Sequence, residues 1–248
     1  MTSEHVATGP ATQETVLEQP LLALEHVSRM YGEEVVVFAL RDVSLRIMAG
    51  EFISIVGPSG SGKSTMLGLL GLLDLPSAGK VRVAGRDVSR LDDATRSQLR
   101  GDSIGFVFQQ FHLIPHLSAL GNVETALLSR DMRPRQRREK AYDALDQLGL
   151  GARVDHRPVQ MSGGEQQRVA LARAIVTDPL MVLADEPTGA LDSVNAAHVL
   201  DIFRNLQTPE RAVVMVTHDP TVANTAARRI SMRDGEIVAD ELLAGSRQ

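Results

Sequence analysis

The chain has 248 residues, of which 43% are hydrophobic, with a formal net charge of -5 and no cysteine. This length suffices for one large α/β unit with a substantial core. Without cysteine, disulfides and cysteine-held metal sites are excluded, and a reducing cytoplasm is a suitable location. The negative charge argues against a general nucleic-acid binder, so no nucleic-acid partner is expected, and no apolar run approaches the roughly 18 residues of a membrane span.

The first segment of the chain is polar. Residues 1–20 lack the basic start and apolar stretch of a signal peptide, so we predict a disordered leader. Short apolar runs follow at residues 22–27, 35–40 and 43–47. These runs predict strands of an antiparallel β-layer.

A glycine-rich loop comes next. Residues 52–56 form an apolar run typical of a buried strand, and residues 63–72 carry apolar side chains at helical spacing. Between them lies Gly57-Pro58-Ser59-Gly60-Ser61-Gly62-Lys63-Ser64. In this context, backbone N–H groups and the helix N-terminus bind phosphate. We predict that Lys63 contacts the β- and γ-phosphates, that Ser64 offers its hydroxyl to Mg²⁺ and that Thr65 lies near the α-phosphate.

The middle of the chain changes to a helical pattern. After the apolar strand 104–108, helices are predicted at residues 119–128 and 135–148, the second ending at Gly149 as a C-cap. Basic residues cluster in this region: Arg130, Arg133, Arg135, Arg137, Arg138 and Lys140. We interpret them as a solvated helix start, and contact with anionic lipid headgroups is the alternative.

A second glycine segment precedes another helix. Ser162, Gly163 and Gly164 come directly before an amphipathic run that begins at Val169. They offer a hydroxyl and exposed N–H groups at a helix start, which is a second anion site. An ordinary N-cap followed by a turn is the alternative.

Two adjacent carboxylates end the next buried strand. The run 180–184 is apolar and is followed by Asp185 and Glu186, at the position where ligands gather in open parallel sheets. We predict that Asp185 holds Mg²⁺ and that Glu186 polarises the attacking water as general base. His218 ends a later apolar strand, which favours a functional role over a structural one.

Over residues 21–240 these segments resemble the ATPase subunit of an ATP-binding cassette (ABC) transporter. Met161-Ser162-Gly163-Gly164-Glu165-Gln166-Gln167-Arg168 resembles the signature motif of that family, with Met161 where leucine is more usual. The resemblance implies ATP hydrolysis with ATP and Mg²⁺ as cofactors. It also implies that Gln109 reaches the Mg²⁺ and the attacking water, and that His218 contacts the γ-phosphate.

The same resemblance implies a head-to-tail dimer of two copies. In that dimer the signature residues Ser162, Gly163, Gly164 and Glu165 cap the nucleotide of the partner. Asp192 stands in a segment that resembles the D-loop, although Ala190 replaces the asparagine commonly found there. Tyr31 stands where an aromatic residue stacks on adenine, and a simple surface aromatic is the alternative.

The expected fold is α/β, a P-loop NTPase core with a mixed β-sheet, an antiparallel β-layer and an inserted α-helical lobe. We expect one domain over residues 21–240, with the core at 21–108 and 162–240, the lobe at 109–161 and a tail at 241–248.

The amino-acid sequences of the motifs are most similar to those of the MacB, LolD and FtsE group. That likeness implies a membrane permease with a large extracytoplasmic domain as partner, docked at a groove near residues 111–122, and a location at the cytoplasmic face of the cell membrane. Two alternatives share the catalytic motifs: the ATPase of an amino-acid-type importer and a soluble, non-transport ABC ATPase.

Overall fold

The computed structural model describes residues 19–32 and 35–243, so the predicted leader lies almost wholly outside the described residues, as does most of the tail. The described part forms ten strands: β1 Leu22–Tyr31, β2 Val37–Ile47, β3 Phe52–Val56, β4 Ala78–Val83, β5 Arg86–Asp87, β6 Ile104–Phe108, β7 Met181–Asp185, β8 Ala212–Val216, β9 Arg228–Arg233 and β10 Glu236–Leu242. It also forms seven α-helices: α1 Lys63–Leu70, α2 Asp93–Ser103, α3 Ala119–Glu124, α4 Pro134–Gln147, α5 Gly163–Ile175, α6 Ser193–Leu206 and α7 Pro220–Ala223. None of these helices is long and apolar enough to cross a membrane.

The strands make two sheets. The first has the order β2-β1-β4-β5 and is antiparallel throughout. The second has the order β10-β9-β3-β8-β7-β6, in which β10 pairs antiparallel and the other neighbours pair parallel. The predicted α/β class, with a mixed sheet and an antiparallel layer, is confirmed.

The central strands of the second sheet are buried on both faces. All five residues of β8 are buried, and so are the first four of β3 and of β7. Helices cover both faces of a parallel sheet, which is why such strands are continuous apolar runs. The parallel strands of this sheet, which include β3, β6, β7 and β8, have their carboxyl ends at one edge, so the loops that follow them meet there.

Two hydrophobic clusters lie on opposite faces of this sheet. Val214 and Val216 of β8 pack with α1 and the antiparallel layer. Val213 and Met215 of the same strand pack with α3, α4, α5 and α6. Because side chains alternate along a strand, β8 contributes to both clusters. The phosphate-loop helix α1 and the signature helix α5 are therefore held on opposite faces.

The predicted helical segment contains two α-helices and shorter turns. α3 ends at Glu124 and continues as a 3₁₀ turn, Thr125–Leu127, so the α-helix predicted to reach residue 128 is shorter than expected. α4 spans Pro134–Gln147, close to its prediction, and Gly149 follows with φ 71°.

The antiparallel layer differs from prediction in β2, and it also contains β4 and β5, which were not predicted. The two runs 35–40 and 43–47 form a single strand, β2, rather than two. Asp42 in its middle has φ 46°, and its N–H donates to the Ser28 hydroxyl at 3.0 Å across the sheet. A local irregularity therefore interrupts the apolar pattern without ending the strand. At the other end of the chain, β10 continues to Leu242, past the predicted domain boundary at 240.

Candidate active site

The loops after β3, β6, β7 and β8 enclose an open cleft of about 710 Å³. The predicted residues that line it are Gly57, Pro58, Ser59, Gly60, Gly62, Lys63, Ser64, Thr65, Gln109, Asp185, Glu186 and His218. Val37, Phe38 and Ala39 of β2 form another part of the wall. Among the predicted residues, this one cavity brings together positions as far apart in sequence as Gly57 and His218.

The phosphate loop is shaped by close backbone contacts. Gly62 precedes α1 with φ 98°, and a Cβ atom there would lie 2.4 Å from the Ala39 carbonyl oxygen, so only glycine fits. The Lys63 ammonium donates to the carbonyls of Gly57 and Pro58, each at 2.8 Å. Ser61 is the one predicted loop residue that does not line the cleft, because its side chain is buried beneath the loop.

Asp185 is the last residue of β7 and is partly buried. Burial raises the pKa of this carboxyl, the negative charge of Glu186 raises it further, and Lys63 opposes both. Burial and a neighbouring like charge both disfavour ionised Asp185, so a bound cation would lower the free energy of this site.

Glu186 is held by groups at the end of β8. It adopts φ 47°, and its N–H donates to the Val216 carbonyl at 2.9 Å. Its Oε1 atom lies 2.7 Å from Nδ1 of His218, and the Thr217 hydroxyl lies 3.4 Å from Oε2. The carboxylate is therefore oriented by the two residues that follow the neighbouring strand.

The donor set of the cleft fits Mg²⁺. Ser64, Gln109 and Asp185 supply a hydroxyl, an amide and a carboxylate oxygen in the same cavity. In the described part of the chain, no group of three or more His, Cys, Asp or Glu side chains comes together that could hold a metal. Proteins usually bind Mg²⁺ through a few protein oxygens together with phosphate oxygens of the substrate.

The signature segment does not line this cleft. Ser162 caps α5 by accepting from the Glu165 N–H at 3.2 Å, and the Glu165 carboxylate accepts from the Ser162 N–H at 2.8 Å. The bond from Ser162 lowers the pKa of Glu165, although partial burial opposes it. A Cβ atom on Gly164 would lie 2.2 Å from Oδ1 of Asn195, so glycine is required beside α6. The segment is thus held by its own capping bonds and by α6, outside the nucleotide cleft of its own chain.

The D-loop residue Asp192 also lies outside the cleft. Its carboxylate caps α6 by accepting from the N–H groups of Val194 at 3.1 Å and Asn195 at 2.9 Å. These bonds, above all that from Asn195, lower the pKa of Asp192. Buried Gln167 of α5 donates to the Pro187 carbonyl at 2.6 Å, which ties the signature helix to the segment after Glu186.

The aromatic residue that lines the cleft is Phe38, not Tyr31. The Tyr31 hydroxyl donates to Asp74 at 2.7 Å, and the Arg29 guanidinium lies 4.5 Å from its ring centre. Tyr31 pairs with Val37, the neighbour of Phe38, so the two aromatic residues lie on neighbouring strands. Adenine stacking by Tyr31 stays a prediction, with Phe38 as a second candidate.

The sequence interpretation also missed the contacts of Thr217 and Gln167. A signal for Phe38 was present, because residues 35–38 are four consecutive apolar side chains, more than alternation in an antiparallel strand requires. All four are exposed in the structure. No sequence signal marks Gln167, whose partner lies 20 residues away.

Comparison with known proteins places this cleft in a family. A model of the family described as ABC transporter matches residues 40–189. The macrolide export ATP-binding/permease protein MacB 1 of Yersinia pestis bv. Antiqua (strain Antiqua) is 52% identical over 222 residues, which are 89% of this chain and 34% of that protein. The uncharacterized ABC transporter ATP-binding protein YvrO of Bacillus subtilis (strain 168) is 45% identical over 223 residues, 89% of this chain and 97% of that protein.

Among solved structures, a dimeric post-hydrolysis state of the ATP-binding cassette MJ0796 bound to ADP and Pi has a TM-score of 0.83 at 44% identity. The match covers 90% of this chain and 99% of that chain. The chain spans about a third of the length of the MacB relatives and nearly all of YvrO. The chain therefore belongs to the ABC transporter family and is an ATP-binding cassette that hydrolyses ATP.

Proposed function

We propose that this ATPase works as a homodimer and drives a MacB-type membrane permease from the cytoplasmic face of the cell membrane. One observation carries the proposal: the phosphate loop, Gln109, Glu186 and His218 share one cleft, whereas the signature residues lie outside it. Such a chain has one half of a nucleotide site in the cleft and offers the other half elsewhere on its surface.

Within the cleft, each residue has a separate role in the proposal. Lys63 and the loop amides bind the phosphates, and Ser64, Gln109 and Asp185 would hold Mg²⁺. When bound, Mg²⁺ neutralises charge on the phosphates during transfer. Glu186 accepts the proton of the attacking water, with His218 orienting its carboxylate. Tyr31, which ends β1 and does not line the cleft, would stack on adenine from outside these residues.

The dimer completes the site. Ser162, Gly163, Gly164 and Glu165 would cap the γ-phosphate bound by the partner, with Asp192 at the contact between the two copies. The matched MJ0796 structures are dimeric, and one holds ADP and Pi, which supports this arrangement. The positive end of α5 has exposed Ser162 as its N-cap, as an anion-binding helix start requires.

The permease partner is proposed from the relatives. The MacB relatives are macrolide export ATP-binding/permease proteins, and this chain matches about a third of them. We assign the permease contact to the lobe at residues 109–161, at the groove near residues 111–122, and we propose that the permease has an extracytoplasmic domain. The comparisons do not favour an amino-acid importer or a soluble ABC ATPase.

The proposal is tested by affinity purification of the tagged protein from its own cells, in mild detergent with ATP. The Glu186→Gln variant is used because loss of the base should retain the ATP-bound state. Mass spectrometry of the co-purified proteins should identify a permease with a large extracytoplasmic domain. Recovery of only soluble partners would contradict the transport role and leave the ATPase chemistry unaffected.

A further inference from the structure

The loop that follows Gln109 is held by an arginine of the signature helix. Arg173, in the last turn of α5, donates from Nη1 to the His112 carbonyl at 2.6 Å and from Nη2 to the Phe111 carbonyl at 2.8 Å. The contact joins residues 61 and 62 positions apart. One guanidinium therefore fixes two consecutive peptide groups of this loop.

The two peptide groups belong to residues in an unfavourable conformation. Phe111 has φ 56° and His112 has φ 46°, the left-handed region that non-glycine residues rarely adopt. Left-handed residues persist when the surrounding structure holds them, and the paired bonds from Arg173 supply that hold. The His112 ring also packs on Phe108, with 4.9 Å between ring centres.

The held loop touches the signature segment. The Phe111 ring lies 3.9 Å from the position that a Cβ atom would take on Gly163. The same α5 helix thus contacts the loop at both ends, through Gly163 at its start and Arg173 in its last turn. Gln109, two residues before Phe111, lines the nucleotide cleft.

The position of Arg173 is not explained by an ion pair with a carboxylate of the described residues. Arg173 forms no ion pair within the described part of the chain, and burial alone lowers its pKa. Partial burial of a cation costs free energy of desolvation. The hydrogen bonds from Arg173 to two backbone carbonyls offset this cost. A favourable interaction between the Arg173 charge and the negative end of α5 could be made by an exposed side chain. It does not explain why the side chain reaches across to the loop.

We propose that Arg173 is a positioning residue that locks the Gln109 loop to the signature helix, so that Gln109 in one site and Ser162 in the other move as one unit. The role rests on the proposed ATP-sandwich dimer. Arg173 does not line the nucleotide cleft and acts through the peptide groups of Phe111 and His112.

The kinetic test compares Arg173→Gln and Arg173→Lys with Arg204→Gln, an exposed arginine of α6 paired to Asp201, as control. Arg173→Gln should lower kcat about tenfold while KM for ATP stays within about twofold, because the phosphate loop is untouched. The Mg²⁺ concentration for half-maximal rate should rise several-fold, because Gln109 is displaced. Arg173→Lys should recover part of kcat, because it keeps the charge and one donor. Kinetics of Arg173→Gln equal to those of the control would overturn the proposal.

A second measurement needs neither turnover nor nucleotide. The chain has no tryptophan, so Phe111→Trp places a single fluorophore beside Gly163. Adding Arg173→Lys, or Arg173→Gln where it folds, should shift the emission to longer wavelength and lower its anisotropy, whereas Arg204→Gln should change neither. Unchanged emission in a folded Arg173 variant would refute the lock even if the wild-type protein hydrolysed no ATP. A shift in emission with an inactive wild type would instead contradict the proposed function.

Discussion

The Nδ1 atom of His218 lies 2.7 Å from Oε1 of Glu186, although the two residues are 32 positions apart. They follow the adjacent parallel strands β8 and β7, in which Val216 is paired with Asp185. The Glu186 side chain is 18% exposed and the His218 side chain 75% exposed, so the histidine covers the carboxylate from the solvent side. The contact holds one oxygen of the Glu186 carboxylate in place, and both residues line the cleft.

Replacing Glu186 by glutamine should remove the base and keep the phosphate cradle. We expect kcat to fall by about 10²- to 10⁴-fold, the contribution of a positioned general base, with ATP affinity nearly unchanged. The ATP-bound dimer should then accumulate, which light scattering with Mg²⁺ and ATP would detect. Glu210→Gln, at an exposed loop carboxylate, is the matched control. Turnover by Glu186→Gln at near the wild-type rate would mean that another group takes the proton.

Asp185 should destabilise the nucleotide-free protein at neutral pH. Burial and the charge of Glu186 raise its pKa above the ordinary 3.8, so its ionised form is less favourable in the folded protein than in the unfolded chain. The loss of stability begins as pH rises above the ordinary value and is complete above the raised one. Asp185→Asn should therefore melt at a higher temperature than wild type at pH 7 without Mg²⁺, because the variant carries no charge at this partly buried position.

Two measurements check this expectation. Thermal melts of both proteins in a chelator should show a difference that shrinks as pH falls through the raised pKa toward the ordinary 3.8, because Asp185 then becomes protonated in the folded wild type. ATPase assays should show that the variant has lost Mg²⁺-dependent turnover, because the carboxylate ligand is gone. A variant that melts lower than wild type at pH 7 would show that ionised Asp185 supports the fold.

The cleft could be predicted from the sequence because each of its main residues follows a buried apolar run. Gln109, Asp185 and His218 lie at or just beyond strand ends, and parallel strands end at one edge whatever the packing of their helices. The contact between Arg173 and Phe111 has no such marker. It depends on how α5 packs against a loop 62 residues away, which no local periodicity encodes.

The aromatic residue that lines the cleft was equally hard to predict from the sequence. Tyr31 and Phe38 belong to paired strands, and the irregular pairing of β1 with β2 decides which ring faces the cleft. Asp42, which is left-handed in the middle of β2, could be mistaken for a strand break from sequence alone. The sequence thus pointed to Tyr31, whereas the aromatic residue that lines the cleft is Phe38.

Tyr31→Ala should weaken ATP binding, with Tyr31→Phe close to wild type, because stacking uses the ring and not the hydroxyl. Loss of one aromatic contact corresponds to about a 2- to 13-fold rise in Kd. Binding of tripolyphosphate, which lacks the base, should not change. Fluorescence titration with a labelled ATP analogue measures both, and Tyr142→Ala, at the other tyrosine, is the control. If only Phe38→Ala weakens ATP binding, adenine stacks on Phe38 instead.

The head-to-tail arrangement makes a sharp prediction for mixtures of two inactive variants. Lys63→Ala disables the phosphate loop, and Ser162→Ala disables the signature, so each homodimer should be inactive. In a mixed dimer, one site combines both defects, and the other combines the intact loop of one chain with the intact signature of its partner. Half of the dimers in an equal mixture are mixed, so the rate should recover to about a quarter of wild type if the two sites work independently.

Ser162→Ala also removes an N-cap and should cost about 1 kcal/mol of stability, so the mixing experiment must separate misfolding from lost chemistry. Ser162→Asn is the control, because asparagine keeps a capping oxygen but changes the group offered to phosphate. If the signature served the nucleotide of its own chain, every combination would retain a defect in each site and no activity would return. Recovery on mixing therefore depends on the partner's signature reaching the cleft that holds Lys63 and Glu186.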